Sequence, residues 1–289
     1  MQGVQRVHTL SLGALYIESW HRSFGEAEDT RLGTGTGFLI GVPGDYWLVT
    51  AWHVFSGRRS DDGTIMDAKD NFTPGYVRVH FAGEADGGFQ SVVQKYDLYE
   101  DEFQHSPRWR SPEDRRIDIA ALHIGAVPEG VVEAFMPNTW PVLRDLLPPE
   151  RRAEQGGDVD LPLRVTDKLF VLGFPFGDVG SWPFAVWTVA PVASEPLARW
   201  NKLPGFLLDS RTREGQSGAP VLMHIRPGEP VVVNGEVIMH VESVTALVGV
   251  YSGRIHKESD LGKVWTVDAL FELVPEVAPP SWKPTSRRD

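Results

Sequence analysis

Cysteine is absent from this chain of 289 residues. A chain without cysteine has no disulfide scaffold, no cysteine zinc site, no iron–sulfur cluster and no thiol nucleophile. Basic residues are also few, with 28 Lys and Arg against 39 Asp and Glu, which gives a formal net charge of −11. Because neutralised phosphates supply most of the affinity of general nucleic-acid binders, we expect no nucleic-acid partner.

Long apolar runs are missing as well. No segment approaches the ~20 uninterrupted apolar residues that a membrane-spanning helix needs, so we expect no membrane partner. The apolar stretch at 10–17 is interrupted by Ser11 and Gly13 and lacks a signal-peptide cleavage pattern, so we interpret 9–20 as a first β-strand. With no export signal and no cysteine, the expected location is the cytoplasm.

Helical periodicity is scarce, and only 149–155 and 268–274 are helix candidates. The apolar residues instead fall into short runs, rich in β-branched and aromatic residues, between turns formed by the 29 Gly and 22 Pro. Such runs predict a β-sandwich or β-barrel. They lie at 37–40, 46–49, 76–81, 117–124, 168–173, 186–192, 220–224, 231–233, 236–240, 246–250 and 264–267. We expect loops at 56–73 and 100–116, a connection between two halves at 125–158, and an irregular tail from 275.

Three motifs carry the chemistry. The first is GTGFLI at 35–40, followed by LVTAWHV at 48–54, which contains His53. The second is RIDIAAL at 116–122, which contains Asp118. The third is EGQSGAPV at 214–221, which contains Ser217. A serine hydroxyl is a weak nucleophile that needs an imidazole to take its proton and an acid to hold the imidazole tautomer. Gly215 permits a tight turn before Ser217, so the backbone N–H groups of these two residues would form an oxyanion hole.

These motifs resemble those of the trypsin-like (chymotrypsin-fold, PA clan) serine peptidases, most closely the bacterial branch without disulfides. The stretches VASEP at 192–196 and FLLDSRT at 206–212 resemble the same branch, and the resemblance covers about residues 9–256. His53, Asp118 and Ser217 follow one another along the chain in the order typical of the family. There are 65 residues from His53 to Asp118 and 99 from Asp118 to Ser217.

The resemblance implies an all-β fold of two six-stranded antiparallel β-barrels with the active site in the cleft between them. The pattern at 268–274 adds a short C-terminal helix. We therefore expect an N-terminal β-barrel at 9–125, an inter-barrel linker at 126–165, a C-terminal β-barrel at 166–265, and a helix with an irregular tail at 266–289.

By the same resemblance, the chain is a serine endopeptidase that cleaves protein or peptide substrates without a cofactor. His53 is implied as the general base, Asp118 as the acid that orients it, and Ser217 as the nucleophile. Gly215 and Ser217 are implied as the oxyanion hole.

Gln216 departs from the pattern of the secreted family members, which commonly carry at this position an Asp that pairs with a freshly cut N-terminus. We therefore expect the chain to be competent without N-terminal processing. An acidic peptidase retained in the cell must be kept from its host's proteins, and a narrow specificity, a gating loop or a regulatory protein partner would each do this.

Substrate binding is inferred by analogy with the family, in which residues 211–214 and 251–254 would wall the primary pocket. The expected substrate-binding residues are Arg211, Arg213, Ser252, Gly253 and Arg254. Family members that cut after Lys or Arg place an Asp six residues before the serine, where this chain has Arg211. We therefore expect acidic or small apolar residues, rather than Lys or Arg, at the cleaved position.

Two other functions remain open at this stage. An α/β-hydrolase could use the Gly215-x-Ser217-x-Ala219 pattern as a nucleophile elbow, but its serine precedes its acid and its histidine, and no His follows His256. A catalytically silent double barrel that serves as a binding or scaffold module is the alternative from outside the enzymes, although such modules usually lose a member of the triad.

Metal sites are not expected, because the histidines show no ligand spacing. The acidic segment at 61–70 contains Asp61, Asp62, Asp67 and Asp70, whose oxygens could bind Ca²⁺, but it lacks the spacing of an EF-hand and is interpreted as a solvated loop. The glycines at 33, 35 and 37 resemble a phosphate loop without its lysine or helix, and a strand close to the substrate cleft is the preferred interpretation.

Overall fold

Two antiparallel β-sheets carry almost all of the regular structure in the computed structural model of the chain. The all-β fold class predicted from the sequence is confirmed, as is the short C-terminal helix. The structure describes residues 8–23, 28–85, 88–132, 163–177, 184–233, 236–239, 243–256 and 258–278.

The first sheet has seven strands rather than the six expected, in the spatial order β5-β4-β1-β2-β3-β7-β6. The additional strand is β6, which has only two residues and pairs with β7 at the edge of the sheet. The strands are β1 (Ala14–His21), β2 (Thr30–Val42), β3 (Asp45–Thr50), β4 (Tyr76–Ala85), β5 (Gly88–Asp97), β6 (Trp109–Arg110) and β7 (Ala120–Gly125).

The second sheet has the six strands expected, in the spatial order β10-β15-β14-β11-β8-β9, and a separate hairpin pairs β12 with β13. These strands are β8 (Lys168–Gly173), β9 (Val186–Pro191), β10 (Gly205–Asp209), β11 (Pro220–Ile225), β12 (Pro230–Val233), β13 (Glu236–Met239), β14 (Val244–Arg254) and β15 (Leu261–Thr266).

Within the described ranges, helical structure consists of two short α-helices and single 3₁₀ turns. The α-helices are α1 (Trp52–Ser56) and α2 (Val267–Leu273). The 3₁₀ turns lie at Thr9–Leu12, Pro175–Gly177, Pro196–Ala198, Trp200–Lys202 and Pro275–Val277.

The first strand begins later than predicted. We expected a strand at 9–20, but Thr9–Leu12 forms a 3₁₀ turn and β1 begins at Ala14. The turn is closed by hydrogen bonds from the N–H of Ser11 to the carbonyl of His8 (2.9 Å) and from the N–H of Gly13 to the carbonyl of Leu10 (3.0 Å).

Three buried hydrophobic clusters hold the sheets, and one of them joins the two. The first lies within the N-terminal sheet around Leu48, and the second lies within the C-terminal sheet around Val221. The third joins Phe38 of β2 to Trp265 of β15 and Leu270 of α2. The two sheets are therefore packed face to face over a shared core.

The acidic loop at 61–70 satisfies its carboxylates internally. Asp61 is paired with Arg59 at 2.8 Å, Asp62 accepts hydrogen bonds from Thr64, and Asp67 accepts backbone N–H groups later in the loop. Among the residues that the structure describes, no group of three or more His, Asp or Glu is placed to hold a metal ion.

The predicted helix at 149–155, most of the linker at 126–165 and the tail from 279 lie outside the described residues. The predicted domain boundaries therefore stay predictions. Within the described ranges, no helix combines the length and the apolar character needed to cross a bilayer.

Candidate active site

His53 is the second residue of α1, and this helix begins two residues after β3 ends at Thr50. The helix ends after five residues because Gly57 takes a left-handed conformation, with φ of 64°, and its N–H donates to the carbonyl of His53 at 2.9 Å. A side chain at Gly57 would also meet Pro74, since a Cβ there would lie 2.5 Å from the proline ring. The short helix thus sets the position of the imidazole.

Asp118 holds His53 at two points. Its carboxylate accepts a hydrogen bond from Nδ1 of the His53 ring at 2.7 Å and a second from the His53 backbone N–H at 3.0 Å. The Asp118 side chain is only 3% exposed. Because an ionised carboxylate can only accept, this contact places the ring proton on Nδ1 and leaves Nε2 as an acceptor.

Ser217 stands in a tight turn that enters β11. Gly215 has φ of 92°, and a Cβ at this position would lie 2.2 Å from the carbonyl oxygen of Phe174, so only glycine fits. Gly218 has φ of 87°, and a Cβ there would lie 2.1 Å from Oγ1 of Thr50. The half-buried Ser217 lines one pocket together with His53 and Asp118, without a hydrogen bond to the His53 ring among the described residues.

Three carbonyl groups of this turn are held by neighbouring segments. The carbonyl of Glu214 accepts the N–H of Phe176 at 2.5 Å, that of Gly215 accepts Oγ1 of Thr36 at 2.6 Å, and that of Ser217 accepts the N–H of Thr36 at 2.8 Å. Within the described part of the chain, the N–H groups of Gly215 and Ser217 have no acceptor. The turn therefore presents two free donors.

Thr36 is the residue that sequence reasoning missed. It is fully buried in β2, and besides its two bonds to the serine turn, its Oγ1 accepts the N–H of Phe174 at 3.2 Å. Its carbonyl accepts Oγ1 of Thr50 at 2.7 Å, three residues before His53. The only signal in the sequence was a single hydroxyl residue between two glycines at 35–37, in a segment otherwise suited to close packing.

Gln216 ties the same turn to the second sheet through uncharged groups. Its side chain is buried, with Oε1 accepting the N–H of Arg213 at 2.9 Å and Nε2 donating to Oγ1 of Thr188 at 2.9 Å. Both ends of the amide are thereby satisfied within the fold.

Four of the five expected substrate-binding residues lie together in the pocket of about 270 Å³ that contains the His53–Asp118 pair. They are Arg213, Ser252, Gly253 and Arg254. Arg211 does not line this pocket: its side chain is 83% exposed and lies 3.8 Å from Asp260.

The buried wall of this pocket is formed by Thr212 and Tyr251, whose hydroxyl groups are hydrogen-bonded to each other. Burial raises the pKa of Tyr251 to about 12. The Tyr251 hydroxyl is therefore protonated at neutral pH.

A second, larger pocket of about 790 Å³ opens on another side of the same residues. It shares His53, Glu214 and Ser217 with the first pocket, and it extends between Arg31 of β2 and the loop that carries Phe72. The cleft thus continues past Ser217 in two directions.

No protein-family model and no curated protein sequence matches the chain. Among solved structures, it is similar to the crystal structure of the serine endoprotease from Yersinia pestis, with 12% identity and a TM-score of 0.43 over 92% of this chain. The chain spans 63% of the length of that endoprotease.

The chain is also similar to the active form of the Rv3671c protease from M. tuberculosis, with 16% identity and a TM-score of 0.45, over 96% of this chain and 85% of that one. At identities this low, no residue role passes from either protease to this chain. Its function has to be argued from its own side chains.

Proposed function

We propose that the chain is a serine endopeptidase in which His53, Asp118 and Ser217 act together. Nε2 of His53 takes the proton of Ser217 Oγ as the oxygen attacks a peptide carbonyl, and then gives that proton to the leaving amine. Water, activated by the same imidazole, releases the acyl group from Ser217 and regenerates the enzyme. Asp118 keeps the ring in the required tautomer and stabilises the imidazolium that forms.

The observation that carries the proposal is the two-point contact between Asp118 and His53 beside an accessible serine. A carboxylate that bonds both the ring Nδ1 (2.7 Å) and the backbone N–H (3.0 Å) of one histidine fixes the ring in orientation as well as in position. The free Nε2 then belongs to the same pocket as Ser217. Candidate base and nucleophile contacts are often loose without substrate and tighten when it binds.

The serine turn supports the proposal by its free N–H groups. In a trans peptide the carbonyl and the N–H point in opposite directions, so the bond from Phe176 to the Glu214 carbonyl turns the Gly215 N–H away from Phe176. We assign the N–H groups of Gly215 and Ser217 as the donors for the developing oxyanion, a contribution typically worth ~10²–10³ in turnover for each donor.

Cleavage within a chain, rather than at its end, is supported by the two pockets that meet at Ser217. A peptide can occupy both of them at once, with its scissile carbonyl over the serine.

The proposal is tested with a fluorophosphonate probe, which reacts covalently with an activated serine. The full chain should be labelled and should degrade an unfolded protein substrate, and Ser217→Ala should lose both properties while keeping the circular dichroism spectrum. Ser106→Ala, at an exposed position in a loop, is the matched control and should behave like the parent chain.

Absence of labelling in the folded parent chain would favour a silent double-barrel binding module instead. Labelling that persists in Ser217→Ala would assign the nucleophile to a different residue.

A further inference from the structure

The pocket of about 270 Å³ beside Ser217 has a cationic lining, although the chain as a whole carries a net charge of −11. We define the basic groove as this pocket with Arg213, Arg254 and Lys263 among the residues that line it. In an otherwise acidic protein, a cluster of positive charges beside the proposed nucleophile influences which peptides can bind there.

The four Lys and Arg side chains of the lining outnumber its three carboxylates, two of which are bound to partners within the fold. Asp61 is paired with Arg59 at 2.8 Å, and Asp118 is bound to His53 at 2.7 Å. Among the lining carboxylates, only Glu214 has no partner within the described residues, and it is exposed to solvent, where its field is screened.

Lys263 and Arg254 have no carboxylate partner in the described part of the chain. Both are half-buried and lie on the paired strands β15 and β14. A half-buried cation without a counter-ion retains its attraction for a carboxylate better than a solvent-exposed one.

Each of these cations stands opposite a glycine. Lys263 pairs in register with Gly253, and Arg254 pairs with Gly262. Side chains of directly opposed residues share one face of a sheet, and neighbours along a strand alternate between faces, so Lys263 lies on the face of Gly253 and Arg254 on that of Gly262. A Cβ on Gly253 would lie 3.8 Å from Oγ of Ser217, so the face that carries Lys263 is open beside the nucleophile. Arg254 follows Gly253 directly and lines the same pocket.

Thr212 and Tyr251, which form the buried wall of the groove, supply no anion. The Tyr251 hydroxyl bonds to Thr212, and burial raises the pKa of Tyr251 to about 12. Tyr251 therefore contributes a neutral hydroxyl, and the charge of Lys263 and Arg254 stays available to a ligand.

We infer that the substrates of this site are acidic peptide segments, whose Asp or Glu carboxylates are received by Lys263 and Arg254 in the basic groove. The inference rests on the proposed function, because it names the substrate class of the same site. Arg254 can form a two-bond fork with a carboxylate, whereas Lys263 acts as a compact point charge.

The first experiment profiles the cut sites of the full chain on a peptide library of known sequences. Asp or Glu should be enriched at one or more fixed positions around the cleaved bond. For the best substrate, replacing the enriched Glu by Gln should lower kcat/KM by about tenfold or more, in line with the usual worth of a hydrogen bond to a charged group.

The second experiment uses the double variant Lys263→Met with Arg254→Met, which keeps unbranched side chains at both positions and removes both charges. It should lower kcat/KM for the Glu peptide by about tenfold or more and leave the Gln peptide within about twofold. Lys202→Met removes one exposed cation outside the groove and is the matched control, with both peptides unaffected.

The outcomes separate the two proposals. A chain that reacts with the fluorophosphonate probe but cuts Glu and Gln peptides equally would overturn the inference alone. A double variant that slows both peptides to the same extent would do so too. A folded chain that neither reacts with the probe nor cuts any peptide would overturn the proposed function, and the inference with it.

Discussion

Asp118 acts on His53 through geometry as much as through charge. Its two oxygens hold one ring nitrogen and one backbone nitrogen of the same residue, so rotation of the ring breaks the shorter bond of 2.7 Å. A single contact would fix distance without fixing orientation. This distinction can be tested with a substitution that conserves shape.

Asp118→Asn keeps the size of the side chain but can offer an N–H to Nδ1 and so favour the wrong tautomer. We expect kcat to fall by ~10³–10⁴ with the fold intact. Assays with a chromogenic peptide would measure kcat, and thermal melting would show whether the fold is intact. A loss of activity in proportion to a loss of folded protein would instead indicate a purely structural role for Asp118.

Thr36 holds the turn around Ser217 from the opposite sheet, and under the proposed function this turn carries the oxyanion donors. Thr36→Val removes the hydroxyl that bonds the Gly215 carbonyl at 2.6 Å, while the isosteric side chain keeps the packing. We expect kcat to fall by about tenfold or more with little change in KM, because a displaced oxyanion donor is felt in the transition state. Binding of a peptide boronate should weaken by a similar factor.

Thr36→Ser retains the hydroxyl and should recover most of the turnover of the parent chain. Thr30→Val, at the exposed start of the same strand, is the matched control. An equal effect of the Val and Ser variants would show that packing, and not the hydrogen bond, is what matters at this position.

The sequence contains enough information to nominate His53, Asp118 and Ser217, because each lies in a motif whose neighbours are as informative as the residue itself. The structure brings two of them into direct contact and the third into the same pocket. Thr36 could not be predicted from the sequence, because its role depends on a hydrogen bond to Gly215, 179 residues further along the chain. The position of Lys263 in the groove likewise depends on strand register, which composition does not reveal.

At the scale of elements, the turn from Arg213 to Gly218 is held by neutral groups. Gln216 bonds backbone at one end and Thr188 at the other, so the turn does not require a charged chain terminus. We expect deletion of residues 1–7, or acetylation of the α-amine, to change kcat/KM by less than about twofold, because the uncharged Gln216 amide holds the turn.

Unlike trimming of the N-terminus, Gln216→Ala should have a measurable effect on the protein. It removes two hydrogen bonds to the partly buried Arg213 N–H and Thr188 hydroxyl and should destabilise the fold by roughly 1 kcal/mol. Urea unfolding would measure this, and probe labelling would report the state of the turn. If trimming the N-terminus proved necessary for labelling, the neutral amide would not be sufficient to hold the turn.

Most strands coincide with the apolar runs of the sequence, but β5, β6 and β10 do not. Strand β5 carries polar residues at mostly exposed positions and still pairs with β4 over its whole length. Its structure depends on backbone pairing with a neighbour, which leaves no alternation in the sequence. The two-residue strand β6 is too short for any pattern to indicate it.

At the scale of the whole molecule, the site depends on the docking of two sheets over a shared core. Leu270 of α2 is fully buried in the cluster that also contains Phe38 and Trp265. An exposed ion pair between Arg110 and Glu276 also bridges the first sheet and the C-terminal segment, but such pairs contribute little.

Leu270→Ala should therefore lower the free energy of unfolding by about 2–5 kcal/mol, through lost burial and the cavity left behind. Probe labelling of Ser217 and tryptophan fluorescence should decline at the same urea concentration. Leu197→Ala, at a residue that is 64% exposed, is the control and should leave both midpoints in place. Labelling that outlasts the fluorescence transition would mean that the second sheet alone forms the reactive serine.

The order of the three residues along the chain has a consequence for synthesis. His53 and Asp118 belong to the sheet that leaves the ribosome first, and Ser217 follows 99 residues after Asp118 on the sheet that leaves last. The turn around Ser217 also depends on Thr36 from the earlier half for its shape. Under the proposed function, a half-made chain therefore has no means of cutting the nascent proteins around it, and reactivity begins only when the second half closes onto the first.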